Sequence, residues 1–266
     1  DKTIKLWDIA TGKVISTFNT DQMVSDIIFS SDSKTLTSVS WDKTIKLWDI
    51  ATGKVISTFN TDQMVSDIIF SSDSKTLTSV SWDKTIKLWD IATGKVISTF
   101  NTDQMVSDII FSSDSKTLTS VSWDKTIKLW DIATGKVIST FTVHQESVER
   151  VVFSPDGQTL ASQSGDNTIK LWDIATGKII STFTVHQESV ERVVFSPDGK
   201  TLASQSGDNT IKLWDITTGK LISTFTNQNL GSIIVFSPDG KTLVSNYVNE
   251  NGENTTKFWD IATGKL

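Results

Sequence analysis

The chain consists almost entirely of internal repeats, and the length of the repeat constrains its fold more than any other feature. The copies in the first half span 1–41, 42–82 and 83–123, which are identical at all 41 positions, and residues 124–141 repeat the first 18 again. A related 42-residue repeat follows at 142–183 and 184–225, and a diverged copy occupies 226–266. A period in the low forties predicts an array of small units that bury their apolar faces against one another.

Each period has the pattern of four short β-strands. In the copy that begins at 142, runs rich in Val, Ile, Thr, Phe and Trp occur at Val148–Phe153, Thr159–Ser164, Thr168–Asp173 and Ile179–Phe183. Turn sequences separate them, such as Ser-Pro-Asp-Gly at 154–157, in which Pro suits the first corner and Gly accepts a positive φ. No stretch keeps a 3.6-residue apolar period, so the sequence predicts strands throughout.

The third strand of the period carries large apolar groups on both faces. In Thr168-Ile169-Lys170-Leu171-Trp172, Ile169 and Leu171 point to one face, while Lys170 and Trp172 point to the other. A sheet that is apolar on both sides is packed between neighbours. Four strands per unit at this period are typical of the blades of a β-propeller.

Several short motifs resemble the WD40-repeat family. They are Phe-Ser-Pro-Asp-Gly at 153–157, 195–199 and 236–240, together with Thr-Leu-Ala-Ser, Asp-Asn-Thr-Ile-Lys-Leu-Trp-Asp and Ala-Thr-Gly-Lys. The resemblance covers nearly the whole chain. It implies that the strands are a, b, c and d of propeller blades around a central channel, and that the usual role is to dock protein partners.

We therefore predict an all-β chain with a WD40-type β-propeller of four-stranded blades. Seven blade positions are favoured, with six complete blades and an N-terminal half blade, and a six-bladed ring is the alternative. Residues 1–266 are expected to form a single domain and to be a segment of a longer protein. Its parts are the half blade 1–18 and the repeats 19–59, 60–100, 101–141, 142–183, 184–225 and 226–266.

Charge and composition weigh against several functions. The net charge of −6 and the pI near 5 disfavour a nucleic-acid or anionic-membrane partner, both of which require clustered Lys and Arg. The chain has no cysteine, which suits a reducing compartment, and we expect a cytoplasmic location. It also lacks the motifs of a nucleotide-binding loop, a serine hydrolase or a zinc protease. We expect no catalytic residues, no metal and no cofactor.

The two histidines attract attention because each belongs to a His-x-Glu triplet, which could indicate a metal site. The resemblance implies a different role, in which His, Ser, Asp and the strand-c Trp form a hydrogen-bonded structural tetrad. The matching positions are His144, Ser162 (or Ser164), Asp166 and Trp172, and then His186, Ser204 (or Ser206), Asp208 and Trp214. We expect the tetrads rather than a metal.

A second tryptophan position distinguishes the identical copies. Trp41, Trp82 and Trp123 stand in the turns between strands b and c, where later copies have Gly165, Gly207 and Gly252. In the family these turns share the top face with the loops between strands d and a, which here carry Met23, Met64 and Met105. Exposed Trp and Met are enriched in binding surfaces. The six side chains are candidates for partner binding, and the alternative is that each ring packs flat on its own blade.

The identical copies also depart from the family in their a–b turn. It reads Ser30-Ser31-Asp32-Ser33 in place of Ser-Pro-Asp-Gly, and if Ser33 must adopt a positive φ, the cost is about 1 kcal/mol relative to glycine.

The predicted function is that of a non-catalytic interaction scaffold, or of a sensor or recognition module of a larger polypeptide. Its partner would be a protein or peptide, or another domain of the same polypeptide, that docks on the top face. Two alternatives remain open. One is a purely structural or self-associating array, and the less favoured one is a small-ligand binder or an enzyme.

Overall fold

The computed structural model describes residues 2–112, 114–142, 144–184, 186–226, 230–248 and 251–264. Within them every regular element is a strand, and none is a helix that could span a membrane. In chain order the strands are β1 Thr3–Trp7, β2 Val14–Asn19, β3 Val24–Phe29, β4 Thr35–Ser40, β5 Thr44–Asp49, β6 Val55–Asn60, β7 Val65–Phe70, β8 Thr76–Ser81, β9 Thr85–Asp90, β10 Val96–Asn101, β11 Val106–Phe111, β12 Thr117–Ser122, β13 Ile127–Asp131, β14 Val137–Phe141, β15 Val148–Phe153, β16 Thr159–Ser164, β17 Ile169–Asp173, β18 Ile179–Phe183, β19 Val190–Phe195, β20 Thr201–Ser206, β21 Thr210–Asp215, β22 Leu221–Thr226, β23 Leu230–Phe236, β24 Thr242–Val248 and β25 Asn254–Asp260.

The strands form sheets in which each strand pairs with the next one along the chain. β1–β2 form a two-stranded sheet, β3–β6, β7–β10, β11–β14, β15–β18 and β19–β22 form four-stranded sheets, and β23–β25 form a three-stranded sheet. The pairings whose register is given are antiparallel, as in β16, where Ser162 lies opposite Lys170 of β17. The predicted all-β class with repeated four-stranded units is confirmed, whereas the number of blades stays a prediction.

The chain divides into two compact units. The first comprises residues 1–119 and 130–137, and the second comprises 120–129 and 138–266. The first unit contains the sheets β1–β2, β3–β6 and β7–β10, and the second contains β15–β18, β19–β22 and β23–β25. The strands β11–β14 contribute residues to both units.

The core of each unit lies between successive sheets. In the first unit, Phe59 at the end of β6 is fully buried and packs against Trp89 of the next sheet, with ring centroids 5.2 Å apart. Ile45 and Leu47 belong to the same cluster. In the second unit, Phe183 and Trp214 repeat the contact at 4.9 Å. Each such side chain contributes about 1.5–3 kcal/mol through burial, which explains why strand c is apolar on both faces.

The a–b turns differ between the two kinds of repeat. Ser33, Ser74 and Ser115 have φ of 57°, 56° and 55°, at a position where the later copies use glycine, such as Gly157 at 69°. A serine in this conformation is strained by roughly 1 kcal/mol relative to glycine. Part of that cost is offset, because the Ser74 hydroxyl accepts a hydrogen bond of 2.9 Å from the backbone N–H of Ser31 in the preceding sheet.

In the second unit the same contact is made without a hydrogen bond. Pro155 stands at the place of Ser31 and has no N–H to donate, and Gly199 stands at the place of Ser74. A Cβ atom added at Gly199 would lie 3.5 Å from Pro155 Cδ, and one at Gly240 would lie 3.6 Å from Pro197 Cδ. The two positions therefore form a matched pair across the sheets, Ser with Ser or Pro with Gly.

We predict that the matched pair behaves as a coupled unit. Ser74→Gly relieves backbone strain but removes the acceptor of the Ser31 amide, so its net effect should be within about 0.5 kcal/mol. The free energy of unfolding of the double variant Ser31→Pro/Ser74→Gly should exceed the value expected from adding the effects of the two single changes by about 0.5–1.5 kcal/mol. Urea unfolding of the wild type and the three variants measures this coupling, and strict additivity would contradict it.

Candidate functional site

Four side chains of the second unit form a continuous hydrogen-bonded chain. Trp172 Nε1 donates to Ser162 Oγ at 2.7 Å, and His144 Nε2 lies 2.7 Å from the same oxygen. His144 Nδ1 lies 3.1 Å from Asp166 Oδ2. The consistent assignment has the serine hydroxyl donating to Nε2 and the Nδ1–H donating to the carboxylate. The strand-c indole is thereby linked to the turn that follows β16.

The next repeat has the same arrangement. His186 Nε2 lies 2.7 Å from Ser204 Oγ, Trp214 Nε1 donates to that oxygen at 2.8 Å, and His186 Nδ1 lies 3.1 Å from Asp208. The sequence left two candidates for the serine in each tetrad. The structure brings Ser162 and Ser204 to the histidines, whereas Ser164 Oγ donates 3.2 Å to the carbonyl oxygen of Glu146. Ser206 does the same to Glu188 at 3.0 Å.

Two further groups hold the tetrad carboxylate, and sequence reasoning did not find them. Thr168 Oγ1 donates to Asp166 Oδ1 at 2.5 Å, and the backbone N–H of Gln145 donates to Oδ2 at 2.9 Å. The Asp-x-Thr spacing across the turn was the available signal. Burial raises the pKa of Asp166, but these bonds and His144 outweigh it and lower the pKa to about 2. Burial also lowers the pKa of His144, and Asp166 only partly opposes it.

We predict a specific dependence of stability on pH. The pKa of His144 and of His186 lies below the ordinary 6.5, so the unfolded chain binds more protons below that pH, and stability should rise with pH up to about 6.5. Asp166 and Asp208 titrate near 2 rather than 3.8, so their contribution is present above 3.8 and is lost as the pH falls towards 2. Urea unfolding between pH 5 and 7 checks the histidine part: the variant His144→Ala/His186→Ala should show a flatter slope, and an unchanged slope would contradict it.

The histidines do not assemble a metal site among the residues that the structure describes. No group of three or more His, Cys, Asp or Glu side chains is placed to hold an ion there. Both nitrogens of His144 are engaged by Ser162 and Asp166. The His-x-Glu triplets therefore have a structural explanation in the tetrads.

The copies without histidine keep only part of this network. Trp48 Nε1 donates to Ser38 Oγ at 2.8 Å, and Trp89 Nε1 donates to Ser79 Oγ at 2.9 Å. Their d–a loops supply an aspartate instead, and Asp21 forms an ion pair with Lys46 of β5. The carboxylate of that pair faces outwards, because the side chain of Asp21 is 78% exposed and that of Lys46 only 14%. Asp62 and Lys87 repeat the pair with exposures of 79% and 15%.

The three turn tryptophans lie at the surface. Trp41, Trp82 and Trp123 are 54%, 56% and 62% exposed, whereas the strand-c tryptophans such as Trp48 are buried. Met23 is also exposed, at 46%, and Met64 and Met105 are half-buried. Trp41 and Trp82 belong to the first unit, and Trp123 belongs to the second.

In the first unit the tryptophan turns and the methionine loops are joined into what we call the tryptophan strip, formed by residues 21–23, 41–43, 62–64 and 82–84. The backbone N–H of Trp41 donates to Met23 O at 3.0 Å, and that of Trp82 donates to Met64 O at 2.9 Å. Lys43 Nζ reaches the carbonyl oxygen of Asp62 at 3.2 Å, in the loop that leads to Met64. The strip therefore runs without interruption from one repeat to the next.

Sequence reasoning missed the lysines of this strip. Lys43, Lys84 and Lys125 have φ of 65°, 64° and 69°, a conformation that is uncommon for lysine and is better tolerated by asparagine. The later copies have Asn167 and Asn209 there, both at 61°. The copies with a turn tryptophan thus retain a strained lysine that reaches the following loop, a pattern that suggests function.

Comparison with known protein families identifies the family of this chain. A family model described as "WD domain, G-beta repeat" matches residues 12–49, 53–90, 94–131, 135–173 and 177–215. Repeats of this kind generally mediate protein–protein interaction, and proteins built from them are typically non-catalytic. No curated protein sequence gives a significant match to the chain.

Proposed function

The chain belongs to the WD40-repeat family, and we propose from that premise that it is a non-catalytic scaffold which docks a protein or peptide. In the first unit the docking surface is formed by the b–c turns and d–a loops that carry Trp41 and Trp82 with Met23, Met64 and Met105, and in the second unit by the equivalent turn that carries Trp123. We further propose that the chain acts as a recognition or sensor module and that it works in the cytoplasm.

The observation that carries the proposal is the exposure of three large indole rings at equivalent positions. Trp is the residue most enriched at binding hot spots, and its loss from such a site typically costs 2 kcal/mol or more of binding energy. Exposed indoles at the same position of the three identical copies are not explained by packing inside a sheet.

The turn itself does not require tryptophan. Gly165 N donates to Ser147 O at 3.1 Å, and Gly207 N donates to Ser189 O at 3.0 Å, the same backbone bond that Trp41 makes to Met23. The turn therefore closes equally well with glycine, and the indole is available to contact a partner. A purely structural array, the alternative, would need no exposed ring here.

The test replaces all three tryptophans with the residue that the later copies use. The variant Trp41→Gly/Trp82→Gly/Trp123→Gly should keep its fold, because this turn accepts glycine elsewhere in the chain. Its capture of partners from a cell extract, quantified by mass spectrometry, should fall at least about 30-fold. Circular dichroism and the urea midpoint verify folding.

The chain offers a matched control on another surface. Ile56, Ile97 and Ile138 occupy the same three repeats, lie on strand d and are 51%, 51% and 55% exposed. Replacing these three with threonine should leave capture unchanged. Equal capture by all three proteins would contradict the proposed function. A change of self-association in the tryptophan variant, without loss of a partner, would favour the self-associating array.

A further inference from the structure

We propose that the tryptophan strip binds an extended, arginine-bearing peptide at two equivalent subsites simultaneously, one for each repeat of the first unit. The first subsite consists of Asp21, Met23 and Trp41, and the second consists of Asp62, Met64 and Trp82. The inference rests on the proposed function and specifies its partner.

The two subsites are equivalent in sequence and in structure. They come from copies that are identical at every position, so their side chains are the same. The backbone bonds that hold Trp41 and Trp82 differ by 0.1 Å, and the exposures of the two rings differ by two percentage points, 54% against 56%. The methionines differ, because Met23 is 46% exposed and Met64 is half-buried, so the features common to the two subsites are the indole and the carboxylate.

One subsite alone is too small for useful affinity. A single aromatic contact of hot-spot quality supports a dissociation constant of roughly millimolar order. When one peptide occupies both subsites, its second contact is intramolecular. This raises the affinity about 100-fold or more if the spacing of the peptide's anchors matches the distance between the subsites. Repeated identical subsites thus favour a partner that repeats its own anchor.

Each subsite presents an exposed carboxylate, which can accept a cationic anchor although Lys43 lies beside the second one. The outward group of each ion pair is the carboxylate, since Asp21 and Asp62 are exposed while Lys46 and Lys87 are covered. A guanidinium group can stack on an indole and pair with a neighbouring carboxylate at the same time. The net charge of −6 also attracts a cationic peptide.

Lys43 links the two subsites. It belongs to the turn of Trp41, its Nζ donates to the loop of the second subsite, and its carbonyl oxygen accepts both the N–H and the Oγ1–H of Thr61. This link is made by a lysine at positive φ, where the copies that lack the tryptophan have asparagine. The strained lysine therefore joins the turn of the first subsite to the loop of the second.

The spacing of the anchors follows from sheet packing. Successive sheets pack roughly 10 Å apart, and an extended peptide advances about 3.3 Å per residue. Two arginines about three residues apart therefore reach neighbouring subsites.

The experiment uses the full chain with Trp123→Gly, so that only the subsites of the first unit are tested. The probes are fluorescent Gly/Ser peptides with one arginine, or with two arginines separated by one to eight residues, measured by anisotropy at low salt. The two-arginine peptide should bind at least 10-fold more tightly than the one-arginine peptide, with an optimum near three residues and weaker binding as NaCl is added. Adding Trp82→Gly should reduce the affinity of the two-arginine peptide to that of the one-arginine peptide.

Two controls complete the design. Lys43→Asn keeps both tryptophans but removes the bond from Lys43 Nζ to Asp62 O. The affinity should then depend less on the spacing between the two arginines. Peptides with two alanines or two glutamates should bind no better than the peptide without anchors. Tryptophan-dependent binding that ignores the number or spacing of arginines would overturn the two-subsite inference and leave the proposed function standing. Equal binding of the glutamate peptides would overturn the choice of a cationic partner. Arginine binding that no tryptophan change affects would overturn the whole inference. The proposed function is decided separately, by the capture experiment.

Discussion

Phe59→Ala is expected to lower the free energy of unfolding of the first unit by about 3–5 kcal/mol, the largest effect of any single change considered. The ring is fully buried, packs on Trp89 and lies in the cluster that joins two successive sheets. Its removal costs the transfer energy of the ring and also leaves a cavity, because a close-packed interface collapses only partly. Urea unfolding followed by hydrogen exchange of peptides that cover 44–90 measures the loss.

A control for this change lies on the same strand. Ile56 is exposed, and Ile56→Ala should change stability by no more than about 0.5 kcal/mol. If the two variants unfolded at the same urea concentration, the sheet-to-sheet cluster would not be the source of stability that the structure indicates.

His144→Ala is expected to destabilise the second unit by about 1–3 kcal/mol. The change removes a partner of Ser162 and of Asp166 within a buried network, and a buried polar group that loses its partner retains its desolvation penalty. Chemical denaturation of the two proteins at pH 7 gives the difference. Gln145→Ala is the control, because that side chain is exposed while its backbone bond to Asp166 remains.

The copies without histidine provide a second comparison. Ser162→Ala deprives both Trp172 and His144 of a partner, whereas Ser38→Ala deprives only Trp48. The first serine change should therefore cost more than the second. Equal losses, or a His144→Ala variant as stable as Gln145→Ala, would show that the histidine adds nothing to the bond between tryptophan and serine.

Strands and turns were predictable because they depend on neighbouring residues. The alternation in Thr168-Ile169-Lys170-Leu171-Trp172 identifies a strand that is buried on both faces, and the structure has β17 there. The glycine of later copies marked Ser33 as a position where a positive φ would be strained, and the structure has that φ. Both inferences use local sterics and the period of a strand, which the sequence carries directly.

The members of the tetrads were suggested by family resemblance, and only the structure decided between the two serines. Ser162 and Ser164 are two residues apart on β16 and point to the same side, so sequence alone did not distinguish them. The choice depends on where the loop carrying His144 meets the strand, which is a contact between segments distant in sequence.

From its sequence alone, this protein is determined to be all-β, repetitive and apolar on both faces of strand c, because periodicity and turn chemistry act over a few residues. Tertiary structure decided what the surface offers. The exposure of Trp41, the outward carboxylate of Asp21 and the reach of Lys43 to the next loop depend on how loops from different repeats lie against one another. An indole in a turn can pack inwards or face solvent with the same local backbone, so its side-chain environment is set only when the neighbouring repeat is in place.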